Sequence, residues 1–189
     1  MNVILIIAAA LAVAGAVVIF NRLIHLRNAS NAAWSDIDVQ LKRRHDLVQN
    51  LVETVRGYSE YERTTLERVT EARGRAVEAL GTGDPARAAA AEGQLGGLVR
   101  GLFVLAEAYP ELRASERFMD LQRSLVDLEN DIQNARRYYN AVVRDLNTRI
   151  QSFPDMLVAR PFGFRERSFF ELENAAEAAV PRADVEEGR

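Results

Sequence analysis

The chain of 189 residues contains no cysteine, which excludes disulfide bonds and thiolate-bound metals. Its two histidines, His25 and His45, lie 20 residues apart and fit no metal-binding spacing. Five prolines and 11 glycines leave long uninterrupted stretches, which favours helices over many short strands. A net charge of −3 provides no global basic field for nucleic acid. We therefore expect no cofactor, no metal and no nucleic-acid partner.

Charged residues are missing from one long stretch near the start of the chain. Val3 to Phe20 is an apolar run of 18 residues. As a helix it is about 27 Å long, just enough for a hydrocarbon core ~30 Å thick. A cleaved signal peptide is the alternative, since Ala12-Val13-Ala14 resembles a cleavage site. No basic residue precedes the run, however, and the run continues past that site. We predict a retained membrane anchor at residues 1–20, with the lipid bilayer as a partner.

The cations around this run predict its orientation. Arg22 and Arg27 follow it before any acidic residue, whereas no Lys or Arg precedes it. The positive-inside rule then places the N-terminus outside and the rest of the chain in the cytoplasm. Within the run, Ala8, Ala12 and Ala16 form a small-residue face that would let another transmembrane helix approach closely. Alanine is also common in any apolar helix, so this face is a hypothesis.

Four later segments carry apolar residues at helical spacing. The segment from Trp34 follows the anchor without a helix breaker, so we predict one continuous helix. The first set of apolar positions is Trp34, Ile37, Leu41, Val48, Leu51, Val52, Val55 and Tyr58. The second is Leu66, Val69, Ala72, Ala76 and Leu80. The third is Ala88, Ala91, Leu95, Leu98, Leu102, Leu105 and Tyr109. The fourth is Phe118, Leu121, Leu125, Leu128, Ile132, Ala135, Tyr139, Val142, Leu146, Ile150 and Phe153.

Capping and breaking residues separate these segments. Ser59 and Glu62 have the spacing of a capping box, which predicts a break near Gly57 to Ser59, although one unbroken rod is the alternative. Asp84-Pro85 suits the start of the third segment, and Ser115 is a candidate N-cap of the fourth. Pro154 ends the fourth.

These segments predict an all-α fold, in which an N-terminal transmembrane helix continues into an antiparallel four-helix bundle spanning residues 21–153. An aromatic tail follows at residues 154–172, containing Phe162, Phe164, Phe169 and Phe170. We expect this tail to fold back onto the bundle, or to enter the membrane interface or a partner groove. Residues 173–189 are acidic and rich in small residues, and we expect them to be disordered.

The stretch KRRHD, Lys42 to Asp46, is the most polar part of the first bundle helix. Helical spacing directs Lys42, Arg43 and Asp46 outward and brings Arg44 or His45 to the bundle seam. A buried charge there needs a partner on another helix, which the sequence does not identify. No motif surrounds His45 with a nucleophile, so we interpret the stretch as a polar layer rather than a catalytic site.

Other polar residues extend this interpretation along the chain. Asn50 and Glu53 continue the polar surface of the first bundle helix. Asp127, Glu129 and Asp131 point in different directions at their two-residue spacing, so we interpret them as solvated surface.

Three glycines recur every four residues in the third segment: Gly93, Gly97 and Gly101. An exposed glycine costs a helix about 1 kcal/mol relative to alanine. The glycines lie off the predicted core face. They would allow a second helix to approach, either within the bundle or from another molecule, or they are incidental.

The residues described so far resemble the LemA family of membrane-anchored helical-bundle proteins of bacteria. The similarity begins at Phe20-Asn21 and is densest at AWSDIDVQLKRRHDLVQNLVETVRGY, residues 33–58. It continues at EAYPELRASERFMDLQRSL, residues 107–125, and at ARRYYNAVVRDLNTRIQSFP, residues 135–154. It closes on the aromatic tail. The family usually has Pro where this chain has Gln49 and often Tyr where it has His45, which argues against His45 as an essential acid or base.

The resemblance implies a single-pass protein of the bacterial inner membrane with its N-terminus outside, and it brings no catalytic residues. Some relatives are associated with organelle membranes in magnetic bacteria. We therefore expect a non-enzymatic scaffold that self-assembles into a homo-oligomer and organises the membrane, with other membrane proteins as further candidate partners. The alternative is a monomeric adaptor for an envelope stress, protease or secretion system.

Overall fold

The computed structural model describes residues 2–57 and 63–171, and these residues contain helices and no strand. The all-α prediction is therefore confirmed. The helices are α1 (Asn2–Arg56), α2 (Arg63–Gly81), α3 (Pro85–Ala106), α4 (Pro110–Arg113), α5 (Glu116–Gln151) and α6 (Asp155–Ala159). The long helices α1, α2, α3 and α5 correspond to the predicted segments, whereas the short helices α4 and α6 were not predicted.

Helix α1 is continuous from the apolar run into the bundle, over 55 residues. The apolar first part is exposed, and it is the one helical segment in the described residues that is long and apolar enough to cross a membrane. From Leu23 onward one face of α1 becomes buried. At 1.5 Å per residue the helix is about 82 Å long, so it connects the apolar segment directly to the far end of the bundle.

The bundle core consists of a cluster at the end far from the apolar segment, another at mid-height and a third beside the apolar segment. In the far cluster, Val52 and Val55 of α1 pack with Leu66, Leu102 and Phe118. The chain therefore reverses between α1 and α2, in agreement with the predicted break. The proposed capping box, Ser59 with Glu62, lies outside the described residues.

At mid-height, Ile37 and Leu41 of α1 pack with Ile132 and Tyr139 of α5. Beside the apolar segment, Leu23 packs with Leu146, Val158 and Phe164. Helix α5 thus runs antiparallel to α1 and ends near the apolar segment, because its later residues meet the earlier residues of α1. Helix α6 lies at this end of the bundle, beside the apolar segment.

Several local predictions can be compared with these elements. Asp84 caps α3, because its carboxylate oxygen Oδ1 accepts a hydrogen bond from the backbone N–H of Ala86 at 3.0 Å. Ser115 occupies the N-cap position of α5 without a side-chain capping bond. Phe153 was predicted as the last core position of α5, and this is wrong. The helix ends at Gln151, and Phe153 is 77% exposed.

The buried face of α3 is rotated from the predicted one. Ala88, Leu95 and Leu102 are buried as expected, but Leu98 and Leu105 are only half-buried. The remaining buried positions of α3 are Ala89, Glu92, Gly96, Val99 and Ala106. Periodicity in the apolar residues missed this face because it contains a glutamate and a glycine.

A polar layer as the candidate functional site

Helix α1 places two consecutive polar side chains, Arg44 and His45, in the bundle interior. Their side chains are 9% and 4% exposed, whereas Leu41 and Val48 on either side are fully buried. Adjacent helical residues are about 100° apart, so the pair occupies the full width of the α1 face that meets the other helices. The sequence predicted one residue of this pair at the seam, and the structure buries both.

Glu92 of α3 contacts both of these side chains. Its Oε2 lies 3.4 Å from Nη1 of Arg44, and its Oε1 lies 2.5 Å from Nε2 of His45. The short contact is a hydrogen bond whose donor depends on the tautomer of the His45 ring. The Glu92 side chain is fully buried, so these two contacts replace the water that it loses.

The second guanidinium nitrogen of Arg44 points toward α5. Its Nη2 lies 3.4 Å from Oε2 of Glu129, whose side chain is partly exposed. Glu129 was interpreted as solvated surface, and this is wrong in part, since it is a partner of Arg44. Arg44 therefore bridges carboxylates on two different helices.

Space for the Arg44 guanidinium comes from Gly96 of α3. A Cβ atom at position 96 would lie 2.8 Å from Nη2 of Arg44. That is closer than real Cβ contacts, so any larger residue at 96 must displace the guanidinium. Glu92 and Gly96, one helical turn apart, thus supply a negative charge and the room for the positive one.

Helix α2 joins the layer through Arg73. Its Nε donates a hydrogen bond of 2.8 Å to the backbone carbonyl of His45. The polar layer, defined as Arg44, His45, Arg73, Glu92 and Glu129, therefore connects all four long helices.

The remaining residues of the predicted polar face lie on the outside of α1. The structure exposes Lys42, Arg43 and Asp46, and Lys42 donates a hydrogen bond to Asp38 at 2.6 Å. Asn50 and Glu53 are also exposed, and Glu53 accepts a hydrogen bond from Gln49 at 2.9 Å. These contacts connect successive turns of one helix in solvent, where an ion pair stabilises by about 0.3–0.5 kcal/mol.

The geometry of the layer favours a structural role, in which it fixes the alignment of the helices, over catalysis. Glu92 and His45 are engaged with each other and are closed off from solvent. Within residues 2–57 and 63–171, no three His, Asp or Glu side chains are grouped as a metal site would require. We interpret the buried ionic layer as fixing which helix faces meet, since a shifted alignment would separate its charges.

The aromatic tail lies along α5 in an extended conformation, held by two asparagines. The Oδ1 atoms of Asn140 and Asn147 accept hydrogen bonds from the backbone N–H groups of Phe170 and Arg167, both at 2.9 Å. Their Nδ2 groups donate to the carbonyls of the same two residues, at 3.1 and 2.9 Å. Seven helical residues and three extended residues both span about 10 Å, so the two asparagines match the tail's spacing.

Of the four phenylalanines predicted to matter in the tail, two are buried on the bundle. Phe170 contacts Trp34, and Phe164 contacts Phe20 at the end of the apolar run. Phe169 is half-buried, whereas Phe162 is 63% exposed. The tail therefore folds back onto the bundle through most of its length, and Phe162 is the exception.

Tyr139 of α5 fastens the same tail. Its hydroxyl donates a hydrogen bond of 3.0 Å to the carbonyl of Ser168. Burial raises the pKa of Tyr139; nearby Arg167 partly offsets this effect and Asp84 adds to it. The neutral phenol is thus the form that the folded tail requires.

The small-residue faces predicted from the sequence lie on the surface of the described residues. Ala8 and Ala12 are exposed, and Ala16 is half-buried against the cluster that contains Leu23. Gly97 and Gly101 are exposed, and a Cβ at either would meet no atom within 4 Å. Gly93 is half-buried. The glycines therefore do not accommodate a close helix within the described bundle at positions 97 and 101.

Sequence reasoning missed Glu92, Gly96, Asn140 and Asn147. Glu92 left a signal, because it is the one acidic residue between Pro85 and Ala106 and lies among apolar positions of α3. The two asparagines left a weaker signal, since their seven-residue spacing places them on one face of α5.

Comparisons with known proteins identify relatives of this chain. A sequence model described as the LemA family matches residues 33–184. Magnetosome protein MamQ of Magnetospirillum gryphiswaldense is 23% identical over 184 residues, covering 85% of this chain and 68% of that protein. Magnetosome protein MamQ 1 of Paramagnetospirillum magneticum is 23% identical over 185 residues, with the same coverage. Protein LemA of Metamycoplasma hominis is 26% identical over 168 residues, covering 88% of this chain and 73% of that protein.

Proposed function

The chain belongs to the LemA family, and we propose that it acts as a single-pass, membrane-anchored helical scaffold that self-assembles at the membrane and organises it. The observation that carries this proposal is the continuity of α1. One helix provides the exposed apolar segment, Arg44 and His45 of the polar layer, and the charged outer face. Because α1 has no break, the bundle is connected to the apolar segment without a hinge.

Self-assembly is supported by a shallow surface groove between α2 and α3. It has a volume of about 420 Å³ and is lined in part by Gly93, Gly97, Arg68 and Glu71. Glycines on an exposed helix face cost stability, and a neighbouring helix that packs closely on them offsets this cost. Anchoring in one bilayer raises the effective concentration of such neighbours. We infer that a second copy of this chain occupies the groove.

The test is the oligomeric state of the full chain in lipid nanodiscs or mild detergent. We expect the unmodified protein to form oligomers by mass photometry. The double variant Gly97→Leu/Gly101→Leu should shift the distribution to monomers, because a leucine at position 97 fills the groove and one at position 101 blocks close approach to the next turn of α3. Circular dichroism checks that the variant stays helical.

Gly74→Leu is the matched control, since Gly74 is another exposed helical glycine whose Cβ would meet no atom within 4 Å. It should leave the oligomers intact. A strictly monomeric unmodified protein at high membrane density would remove the self-assembly part of the proposal. It would favour a monomeric adaptor, in which the outer face of α1 or the tail binds another protein.

The orientation belongs to the same proposal. Arg22 and Arg27 are exposed just beyond the apolar run, which supports an N-terminus outside and a bundle in the cytoplasm of a bacterial cell. Because the chain has no cysteine, Lys42→Cys creates a single reactive thiol on the bundle. A membrane-impermeant maleimide should label it only after cell lysis, and labelling of intact cells would reverse the orientation.

We infer a non-enzymatic role. The buried, paired state of Arg44, His45 and Glu92 supports a structural layer rather than a catalytic site. Tight binding of a small molecule or metal by the purified protein would contradict this inference.

A further inference from the structure

Large apolar side chains remain exposed where the end of α5 and helix α6 meet the apolar segment of α1. Phe153, Leu157 and Phe162 are 77%, 62% and 63% exposed. They fall within ten residues of one another. Among the other described residues beyond position 20, the exposed large apolar side chains are scattered valines, a methionine and a tyrosine. We call these three residues the apolar ridge.

The ridge is held at a defined height on α1. Phe162 packs against Phe20 with ring centroids 4.9 Å apart, and Phe164 packs against the same ring at 5.8 Å. Val158 and Ala159 of α6 are buried in the cluster that contains Leu23. Phe20 is the last residue of the apolar run, so side chains in contact with it lie at the depth where the hydrocarbon core ends.

The surroundings of the ridge are basic. Arg22 of α1 and Arg160 and Arg165 of the chain that follows α6 are exposed. Asp155 is the one acidic residue from 152 to 165, and its carboxylate is buried and paired with Arg149 at 3.0 Å. Exposed aromatic and aliphatic side chains next to arginines are typical of surfaces that enter the headgroup region of an anionic membrane.

A sharp turn presents Phe162 in this position. Gly163 adopts a φ of +71°, a left-handed conformation that side chains disfavour. The turn lets the chain bury Phe164 while Phe162, two residues earlier, points away from the bundle. The exposure of Phe162 is therefore built into the backbone.

We propose that the apolar ridge inserts into the interface of the same bilayer that α1 spans, and that anionic headgroups bind the arginines around it. The proposal rests on insertion of α1 as proposed above. The ridge gives the bundle a second contact with the membrane, beside the anchor. A helix held at one point can tilt and rotate, and two contacts fix the bundle's tilt and the direction that its groove faces.

Single-cysteine labelling of the full chain in vesicles tests this directly. The variants are Phe153→Cys, Leu157→Cys and Phe162→Cys, each labelled with an environment-sensitive fluorophore. We expect each emission to shift to shorter wavelength and to be quenched by lipids brominated on their acyl chains. Val104→Cys is the matched control, since Val104 is 67% exposed at the far end of the bundle and its label should stay in water.

Leu11→Cys separates failure of this proposal from failure of the anchor. A label at Leu11 that is quenched by lipid, with ridge labels that are not, would overturn the ridge insertion and leave the anchor intact. Labels that are all unquenched would overturn both.

The lipid class is tested by comparing vesicles of phosphatidylcholine alone with vesicles that also contain phosphatidylglycerol. We expect stronger quenching of the ridge labels with phosphatidylglycerol, and loss of that difference in Arg160→Gln/Arg165→Gln. Equal quenching in both lipids with the native arginines would overturn the assignment of anionic headgroups.

Discussion

At the scale of single residues, the bundle depends on one buried carboxylate with two basic partners. Glu92 lies between Arg44 and His45, and Arg44 reaches on to Glu129. Desolvating these charges is expensive, and hydrophobic residues of similar volume often stabilise a fold equally well. We therefore infer that the layer contributes specificity, because a shift of α1 against α3 or α5 would separate these pairs.

Replacing Arg44 with leucine removes one partner and leaves the others. We expect Arg44→Leu to lower the free energy of unfolding by about 3–5 kcal/mol, since Glu92 keeps only His45 and Glu129 loses its cation. The measurement is thermal or denaturant unfolding in detergent, followed by circular dichroism. Arg43→Leu is the control, because Arg43 is exposed on the adjacent position of the same helix. Unchanged stability and unchanged assembly in Arg44→Leu would refute the structural role of the layer.

Two neighbouring glycines on α3 should respond oppositely to alanine. Gly96→Ala places a Cβ against the Arg44 guanidinium and should destabilise the protein by about 1–3 kcal/mol. In a single copy Gly97→Ala adds a methyl group in open space, so it should stabilise the monomer by up to about 1 kcal/mol because alanine favours helix. Unfolding of the two variants under one condition gives the comparison. Equal effects in the two would show that Arg44 does not require the space at Gly96.

Tyr139 connects the tail's stability to alkaline pH. Its pKa is raised in the folded protein, mainly by burial, above the value of about 10 for an unfolded chain. The stabilisation that the neutral Tyr139 phenol gives the folded protein is therefore complete below about pH 10. It is lost as the pH rises through the pKa of Tyr139 in the folded protein. We expect Tyr139→Phe to cost about 1 kcal/mol near neutral pH through the lost bond to Ser168. The difference from the unmodified protein should shrink above about pH 10 in unfolding experiments. A constant difference across this range would contradict the assignment.

The pattern of residues predicted part of this site. The position of KRRHD on the apolar face of α1 required a polar side chain at the seam, and the structure buries Arg44 and His45 there. The partners were not predictable in this way, because pairing Arg44 with Glu92 depends on how α1 and α3 are aligned across 48 residues of sequence. Gly96 was not predicted, because it does not belong to the regular four-residue spacing of Gly93, Gly97 and Gly101.

At the scale of elements, two asparagines on α5 hold an extended segment in place of a fifth long helix. Asn140 and Asn147 each form two hydrogen bonds to one backbone unit, so they act on the tail as a neighbouring strand would. This pairing satisfies backbone groups that would otherwise face the bundle surface unpaired. The tail is thereby fastened at two points, with Phe170 filling the space beside Trp34 and Tyr139.

Removing one asparagine should loosen the tail without unfolding the bundle. We expect Asn147→Ala to increase hydrogen exchange at the Arg167 amide by about tenfold or more, since a lost pair of hydrogen bonds costs about 1–3 kcal/mol. Exchange within α5 should stay slow. Gln133→Ala, at an exposed position of the same helix, should leave the tail amides protected. Unchanged exchange at Arg167 would show that other contacts hold this segment.

The periodic apolar residues predicted the long helices well and the connections poorly. Positions 66, 69, 72, 76 and 80 are all buried in α2, because there every core residue is apolar. Helix α6 and the asparagine-bound tail carry no comparable period, since their positions follow from contacts with α1 and α5. Phe153 continued the period of α5, but the helix stops before it and leaves the phenylalanine exposed.

At the scale of the whole molecule, α1 organises everything else. Four regions follow one another along this single helix. They are the exposed apolar segment, the cluster beside it, the mid-height cluster and the far cluster. With α1 spanning the bilayer and the apolar ridge at its surface, as we propose, the far end of the bundle would project away from the membrane. The groove between α2 and α3 would then lie at a fixed distance from the bilayer. The groove of a neighbouring copy would lie at the same distance, so the two could face each other.

The upright arrangement predicts how far each part of α1 lies from the lipid. Residues 21–56 comprise 36 helical residues, so Arg56 is expected at about 54 Å from the end of the apolar run, and Asn28 at about 12 Å. Energy transfer from a donor at Asn28→Cys to acceptor lipids in the vesicle surface should be efficient, and transfer from Arg56→Cys should be weak. Both positions are exposed, so labelling should not disturb the core. Equal transfer from the two would mean that the bundle lies flat on the membrane, and the ridge would then be one part of a broader contact. Weak transfer from Arg56 together with quenched ridge labels would instead place a rigid bundle upright on two membrane contacts.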